Sequence, residues 1–257
     1  MIKKKLLLFL IAFSLALPFN HNGNAEDKKE PLNAPSCMPS VKSVTLRGDT
    51  FIFGPPGGRI KNAKVMVLEY PEITVNTDEK GAFEISGITP CAEATLFLES
   101  DEVTDVQTKT FFVENENIEQ ISFQTPADSV FKFLAALVKV KIDNNACQIA
   151  STVTRKGASV YTSDLTHGEP DATVTIEPPL PEKYGPIYFQ YVDRSVVLPD
   201  RKLKKTTIDG GVLFVNVPPG DYVMHAHKKG VEFTPVKIKC AAGKFINASP
   251  PHGLQAK

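Results

Sequence analysis

Two histidines on one predicted strand are the first candidate for chemistry in this sequence. His225 and His227 stand two positions apart, and residues two apart on a β-strand point to the same side. Two imidazoles placed in this way provide half of a metal site. The missing ligand would come from His167 or from an acidic residue. The pattern leaves two readings open, a metal site or a pair of solvated histidines on an outer sheet face.

A second candidate is a group of aromatic residues in the stretch 177–205. Tyr184, Tyr188 and Tyr191 occur there among five prolines. Rings on a proline-stiffened loop offer a large contact area at low entropic cost, which suits a glycan or a peptide. The alternative is an extra hairpin whose rings pack against its own sheet, and this is the reading we favour. The basic run that follows at 201–205 is expected to be a solvated edge.

The sequence contains no complete catalytic set. Gly-x-Ser-x-Gly and His-x-x-Glu are both absent, so the usual patterns of serine hydrolases and of metallocarboxypeptidases are missing. The 29 basic residues balance the 29 acidic ones, which gives no electrostatic reason to expect nucleic acid as a partner. We expect a protein that is not an enzyme and that needs no cofactor.

The elements that position these residues are predicted to be short strands. Apolar residues alternate with polar ones from Val41 onward, and segments such as Asp78–Gly81 supply turns between the alternations. The same pattern then recurs, because the turn and strand at 77–85 correspond to those at 207–215. Within the second repeat, an insertion of about twenty residues precedes this turn and strand. This duplication predicts an all-β chain of two tandem β-sandwiches, near 41–125 and 144–250, the second with an insertion near 177–205 and a tail at 251–257.

Both copies resemble the carboxypeptidase regulatory-like family. The motifs that carry the resemblance are Thr77, Asp78, Gly81 and Phe83 in the first copy and Pro218, Pro219, Gly220 and Tyr222 in the second. The resemblance implies Ig-like or prealbumin-like sandwiches of about seven strands each, in a family that is predominantly non-catalytic. Gly81 and Gly211 fall where a tight turn needs a residue that tolerates positive φ, and Phe83 and Leu213 are then expected to enter the core. The resemblance is to the module appended to carboxypeptidases and not to their catalytic domain.

The resemblance bears on the histidines as well. It places Tyr222, Met224 and Ala226 inward, so His225 and His227 are expected on the outer face, exposed and free of metal. His-x-His also occurs among the iron ligands of intradiol dioxygenases, which are built on a β-sandwich, and the tyrosines of the insertion would have to supply phenolates. A metal-binding protein or an enzyme of that type is therefore the alternative to the non-catalytic reading.

The residues between the two copies predict a helix within 126–143. Val130, Phe131 and Leu134 recur at helical spacing, while Thr125 is placed to cap the helix and Pro126 to occupy its first position. A strand through 136–142 is the competing interpretation, because apolar residues also alternate there.

Four cysteines, Cys37, Cys91, Cys147 and Cys240, allow three disulfide connectivities in an exported protein. Each predicted sandwich holds two of them, and Cys147 and Cys240 lie near a first and a late strand. We therefore predict the pairs Cys37–Cys91 and Cys147–Cys240.

The N-terminus predicts export. Three lysines precede an apolar run from Leu6 to Leu17, and this pattern is typical of a signal peptide, here residues 1–25 with cleavage near Ala25 and an extended leader at 26–40. Loss of the three lysines leaves a mature chain of about −3 net charge, and no later segment is apolar enough to span a membrane. The sequence thus predicts a secreted or periplasmic protein that binds a glycan, a peptide or another protein of the cell envelope.

Overall fold

The computed structural model describes residues 37–53, 57–101, 103–159, 161, 167–193 and 196–257. The predicted signal peptide, the leader up to residue 36 and the turn residues 54–56 lie outside the described part. Within it the chain is almost entirely β-structure with one short helix.

The first half of the protein, residues 37–126, forms two facing sheets. One sheet has the order β4-β1-β7, with β1 antiparallel to β4 and parallel to β7. In the other, β2 pairs with β3 and β5, and β5 pairs with β6. The seven strands are β1 (Val44–Phe53), β2 (Lys64–Val67), β3 (Tyr70–Asn76), β4 (Ala82–Ile88), β5 (Ala92–Glu99), β6 (Val106–Val113) and β7 (Ile118–Pro126).

The second half, residues 147–257, repeats this plan. Strand β8 is antiparallel to β12 and parallel to β15, as β1 is to β4 and β7, while β13 pairs with β9 and β14. An additional hairpin, β10 and β11, extends the first of these sheets beside β12. The strands are β8 (Cys147–Thr154), β9 (Thr173–Glu177), β10 (Ile187–Asp193), β11 (Val196–Asp200), β12 (Gly211–Val217), β13 (Gly220–His227), β14 (Val236–Cys240), β15 (Phe245–Asn247) and β16 (Leu254–Gln255).

Each half encloses a hydrophobic cluster between its two sheets. In the first half, Leu46 and Phe123 of one sheet meet Val65 and Leu96 of the other, all four fully buried. The cluster of the second half contains Ile149, Phe214 and Met224 among others. Burial of alternate apolar residues from facing strands is the arrangement of a β-sandwich, so the predicted all-β sandwich class is confirmed, while the division into two tandem sandwiches stays a prediction.

Strand β6 joins the two halves through main-chain pairing. It pairs with β5 of its own half, with β15 in parallel at Val106–Thr108, and with β14 at Thr110. Side chains strengthen this junction, because the ammonium group of Lys239 lies 2.6 Å from a Glu69 carboxylate oxygen and 3.3 Å from one of Glu93. The alternating pattern did not predict this shared sheet, and residues 37–257 form one compact unit.

Both predicted disulfides are confirmed. Cys37 pairs with Cys91, with Cα atoms 5.5 Å apart, and Cys147 pairs with Cys240 at 5.8 Å. In the order of the large sheet, β15 and β6 separate β8 from β14, so the second bridge ties together two strands that do not pair with each other. The first bridge instead fastens the segment before β1 to the turn between β4 and β5.

The predicted helix is present as α1 (Asp128–Leu137), but its predicted start is wrong. Pro126 is the last residue of β7, and the hydroxyl of Thr125 donates to the carbonyl of Thr104. The N-cap is Ala127, which offers no side-chain acceptor. The parallel pairing of β7 with β1 runs up to Pro126 and so delays the start of the helix.

One predicted glycine position is displaced by one residue. Gly81 has φ +72° as expected, but in the second half the left-handed residue is Gly210, with φ +77°, and not Gly211. The amide of Gly210 donates to the carbonyl of Thr207 as that of Gly81 donates to Asp78, so these two turns correspond. Consequently Val212 is fully buried in the core, whereas Leu213 faces the opposite side of its strand.

Candidate functional site

His225 and His227 lie on the face of β13 opposite Tyr222 and Met224, whose side chains are in the core. His227 is exposed as expected, whereas His225 is half-buried. Their rings are stacked with centroids 6.5 Å apart. His225 Nε2 is 3.9 Å from a carboxylate oxygen of Glu177, and His227 Nε2 is 2.8 Å from the hydroxyl of Thr175.

The third metal ligand that the sequence suggested is not assembled beside this pair. His167 precedes the bridge between Gly168 and Thr154, where its charge acts on the carboxyl group of Asp209. Across the described ranges, no group of three or more His, Cys, Asp or Glu side chains is close enough to hold a metal ion. Metal binding by His225 and His227 stays the alternative to the predicted metal-free pair.

The three tyrosines of the insertion do not share a surface. Tyr188 is 2% exposed and packs in the core of the second half, where its hydroxyl accepts a hydrogen bond from the amide of Val174. Strand alternation places Tyr191 on the opposite face of β10, and Tyr184 lies in the turn before that strand. The hairpin alternative is therefore the one that forms, and Tyr188 presents no ring to a ligand. Tyr188 and the two histidines also face opposite sides of the sheet, so the dioxygenase-like arrangement is not formed.

Tyr184 does belong to an open groove, which we call the cationic groove. It has a volume of about 540 Å³ and is lined by Lys139, Lys141, Lys183, Tyr184 and Arg201, with Asn216 at its base. Four basic side chains face one carboxylate, that of Asp143. A second groove of about 540 Å³ continues from it past Lys183 and Arg201 towards Lys204. The positive charge is notable in a chain whose mature form is expected to be mildly acidic.

Three segments that are distant in sequence converge to form the cationic groove. The chain leaves α1 through Lys139, whose φ is +56°, and the Arg201 side chain holds this turn by donating from Nε to the carbonyl of Val138 at 2.9 Å. The side chain of Asn216 fixes the segment that follows Lys139. Its Nδ2 donates to the carbonyl of Lys141, and its Oδ1 accepts from the backbone amide of Asp143. The basic side chains are thus carried on backbone that is tied to β12.

The electrostatics of the groove leave its cations available. No ion pair links Lys139, Lys141, Lys183 or Arg201 to a carboxylate among the residues that the structure covers. The ammonium group of Lys183 lies 4.8 Å from the centroid of the Tyr184 ring, a cation–π geometry. The Nε–H of Arg201 is occupied by Val138, which leaves the terminal amino groups of the guanidinium for a ligand. The sequence showed the basic run at 201–205 but not its meeting with Lys139, Lys141 and Lys183.

Two other titratable groups are buried away from this groove. Burial lowers the pKa of Lys109 to about 8, and its ammonium group donates to the carbonyl of His252. Burial also raises the pKa of Asp209, although a hydrogen bond from the Gly211 amide and the nearby His167 act in the opposite direction. Neither side chain was singled out from the sequence, since nothing in the local pattern distinguishes a buried ionisable residue from a solvated one.

The chain matches no protein-family model and no curated protein. Weak similarity exists to solved structures. The Bacillus anthracis TIE protein shares 15% identity at a TM-score of 0.27 over 84% of this chain and 34% of its own. A streptococcal ancillary pilin shares 11% at 0.26 over 82% of this chain and 64% of its own, and a minor pilin of Streptococcus agalactiae shares 11% at 0.22 over 83% and 95%. At these TM-scores the similarity carries no argument about function.

No helix in the described part of the chain has both the length and the apolar character required to cross a membrane.

Proposed function

We propose that this protein is a non-catalytic, exported β-sandwich protein that binds an anionic glycan of the cell envelope in the cationic groove. The observation that carries the proposal is the set of four basic side chains around an open groove, none of them paired with a carboxylate of the described chain. The two disulfides support an oxidising compartment. The carboxypeptidase regulatory-like resemblance supports a binding role without catalysis.

The chemistry of the groove favours a sugar acid. A guanidinium group binds a carboxylate through two parallel hydrogen bonds, and the terminal amino groups of Arg201 are free to do so. The half-buried ring of Tyr184 next to Lys183 offers an apolar surface to the C–H face of a sugar. Lys139 and Lys141 on the opposite wall supply flexible charges for the next acidic unit of the chain.

The matched ligands for a test are oligogalacturonate and the same oligosaccharide after methyl esterification, which removes the charge and keeps the sugar chain. We expect the mature protein to bind the acid at least tenfold more tightly than the ester in a calorimetric titration at low salt. The affinity for the acid should fall as ionic strength rises, because exposed charges are screened. Equal binding of both forms, or no binding of either, would contradict the proposal.

An acidic peptide is the competing ligand of the same charge. A polyglutamate peptide of matched length and charge should bind more weakly than the oligogalacturonate, since it lacks a flat face for Tyr184. Tighter binding of the peptide would overturn the glycan assignment.

A further inference from the structure

A separate cavity lies beneath helix α1. Its volume is about 180 Å³, and its roof is formed by the helix residues Phe131, Leu134 and Ala135, together with Val138 just beyond them. The floor is the outer face of the sheet β12-β8-β15, where Leu213, Val215 and Phe245 point away from the core of the second half. The end of β7 closes one side with Gln124 and Pro126. The cavity is therefore bounded by both halves and the helix that connects them.

The helix packs loosely over this cavity. None of its residues is buried, although it is amphipathic and carries four large apolar side chains. Its firmest contact is the edge-to-face pair of Phe131 with Phe245, with ring centroids 5.7 Å apart. A roof held in this way leaves apolar surface unfilled, and a space of similar size lined by apolar side chains is known to accept small aromatic molecules.

One end of the cavity is polar and contains the buried carboxyl group of Asp209. This residue is 8% exposed, and its Oδ2 accepts a hydrogen bond of 2.9 Å from the amide of Gly211. The absence of a side chain at position 211 makes room for this group, because a Cβ there would lie 2.5 Å from Asp209 Oδ2 and 2.8 Å from the Phe189 ring. Ser151 also lines the cavity, and its buried hydroxyl oxygen has no hydrogen-bond partner in the described ranges. A buried hydroxyl group without a partner is costly unless a polar group reaches it.

We propose that this cavity binds a small apolar molecule that carries one hydrogen-bond donor, with the donor directed at Asp209. The apolar body occupies the space between the α1 side chains and Leu213, Val215 and Phe245. The donor reaches the carboxyl group of Asp209 in the polar part of the cavity lining, which also contains the Ser151 hydroxyl. The site is distinct from the cationic groove, which lies at the end of α1 and is open and charged.

The test uses N-phenyl-1-naphthylamine, an apolar aromatic probe with a single N–H donor whose fluorescence rises in an apolar site. We expect saturable binding of one molecule per protein. Ala135→Phe fills the cavity from its roof, whereas Ala136→Phe adds the same ring one residue further, at an exposed position of the same helix. The first substitution should weaken binding at least tenfold and the second by less than twofold.

Equal effects of the two substitutions, or no saturable binding to the unmodified protein, would overturn the proposal. Circular dichroism and the unfolding midpoint establish that both variants remain folded. If Ala135→Phe fails to fold, Leu134→Phe replaces it, because Leu134 also lines the cavity.

The polar end is tested with Asp209→Asn, which keeps the size of the side chain and removes its charge. Binding of the probe should weaken about tenfold, since a hydrogen bond to a charged acceptor is the stronger kind. Unchanged affinity would contradict the placing of the donor at Asp209. Oligogalacturonate binding should be the same in all these variants, so that failure here is distinguishable from failure of the cationic groove.

Discussion

The two halves of the molecule share a strand framework and differ in the segment placed between equivalent strands. In the first half, the chain after β2 returns as β3 alongside it. In the second half, the chain after β9 crosses to the opposite end of the large sheet and adds β10 and β11 beside β12. Only the second arrangement carries Lys183, Tyr184 and Arg201 to the end of α1 and so builds the cationic groove. Under the proposed function, the shared framework supplies stability and the insertion supplies the binding groove.

The largest expected difference between the halves concerns their disulfides. Replacing Cys147 and Cys240 by alanine should lower the free energy of unfolding by about 4 kcal/mol, because this bridge is buried in the core and connects two strands that do not pair with each other. Replacing Cys37 and Cys91 should cost about 2 kcal/mol, since these residues are only half-buried and fasten a terminal segment. Guanidinium unfolding of both double variants measures the two losses. An equal or larger loss on replacing Cys37 and Cys91 would contradict the comparison.

The equivalent turns of the two halves provide a second contrast. Gly210→Ala should cost about 3 kcal/mol, because a Cβ at φ +77° would also lie 2.3 Å from the carbonyl oxygen of Val153. Gly81→Ala should cost about half as much, roughly 1.5 kcal/mol, because its closest neighbour is the Thr50 hydroxyl, a side-chain group. The two variants are compared by thermal and chemical unfolding. If Gly210→Ala and Gly81→Ala lower the free energy of unfolding equally, the contact between the new Cβ and the Val153 carbonyl must be relieved by movement of the turn.

These turns also show what the sequence can and cannot predict. The pattern around 207–215 predicts a turn and a buried strand. Because two glycines are adjacent there, the pattern does not decide which of them takes positive φ, and the prediction of Gly211 placed the strand residues one position out of register. The strand periodicity of the first half was read correctly, with Val65, Phe83 and Leu98 all in the core. The disulfide pairing followed from the division of cysteines between the halves.

The role of β6 and the composition of the groove were beyond sequence reasoning. The alternation in β6 is the same whether the strand is at an edge or at the centre of a sheet, so it does not reveal pairing with β14 and β15. The groove depends on contacts between residues more than forty positions apart, such as Val138 with Arg201. From the sequence, Tyr188 was grouped with Tyr184 and Tyr191 because all three are tyrosines. The alternation of side chains along β10 instead places the Tyr188 ring in the core.

The junction between the halves predicts a dependence on pH. Lys109 of β6 has its pKa lowered to about 8 by burial, against about 10.4 in an unfolded chain. Between these values the unfolded state holds the proton and the folded state does not, so stability rises with pH across this window. Below pH 8 Lys109 is protonated in both the folded and the unfolded state, so the free-energy cost of burying its charge no longer changes with pH.

Relative to Lys109→Met, the unmodified protein should therefore gain about 2 kcal/mol of unfolding free energy between pH 7 and pH 10. Urea unfolding of both proteins at the two pH values gives this difference directly, because the remaining groups titrate alike in both. A constant difference between the two proteins would show that Lys109 is not desolvated in the folded state.

The central claim, that the second half binds an anionic glycan in its cationic groove, is tested most directly by paired charge removal. The Kd of oligogalacturonate is measured for Lys183→Ala with Arg201→Ala and, as the matched control, for Lys42→Ala with Lys80→Ala, which removes two exposed charges from the first half. We predict a Kd at least tenfold higher for the first variant and within twofold of the unmodified protein for the second. Equal loss in both variants, or no loss in the first while it remains folded, would contradict the account.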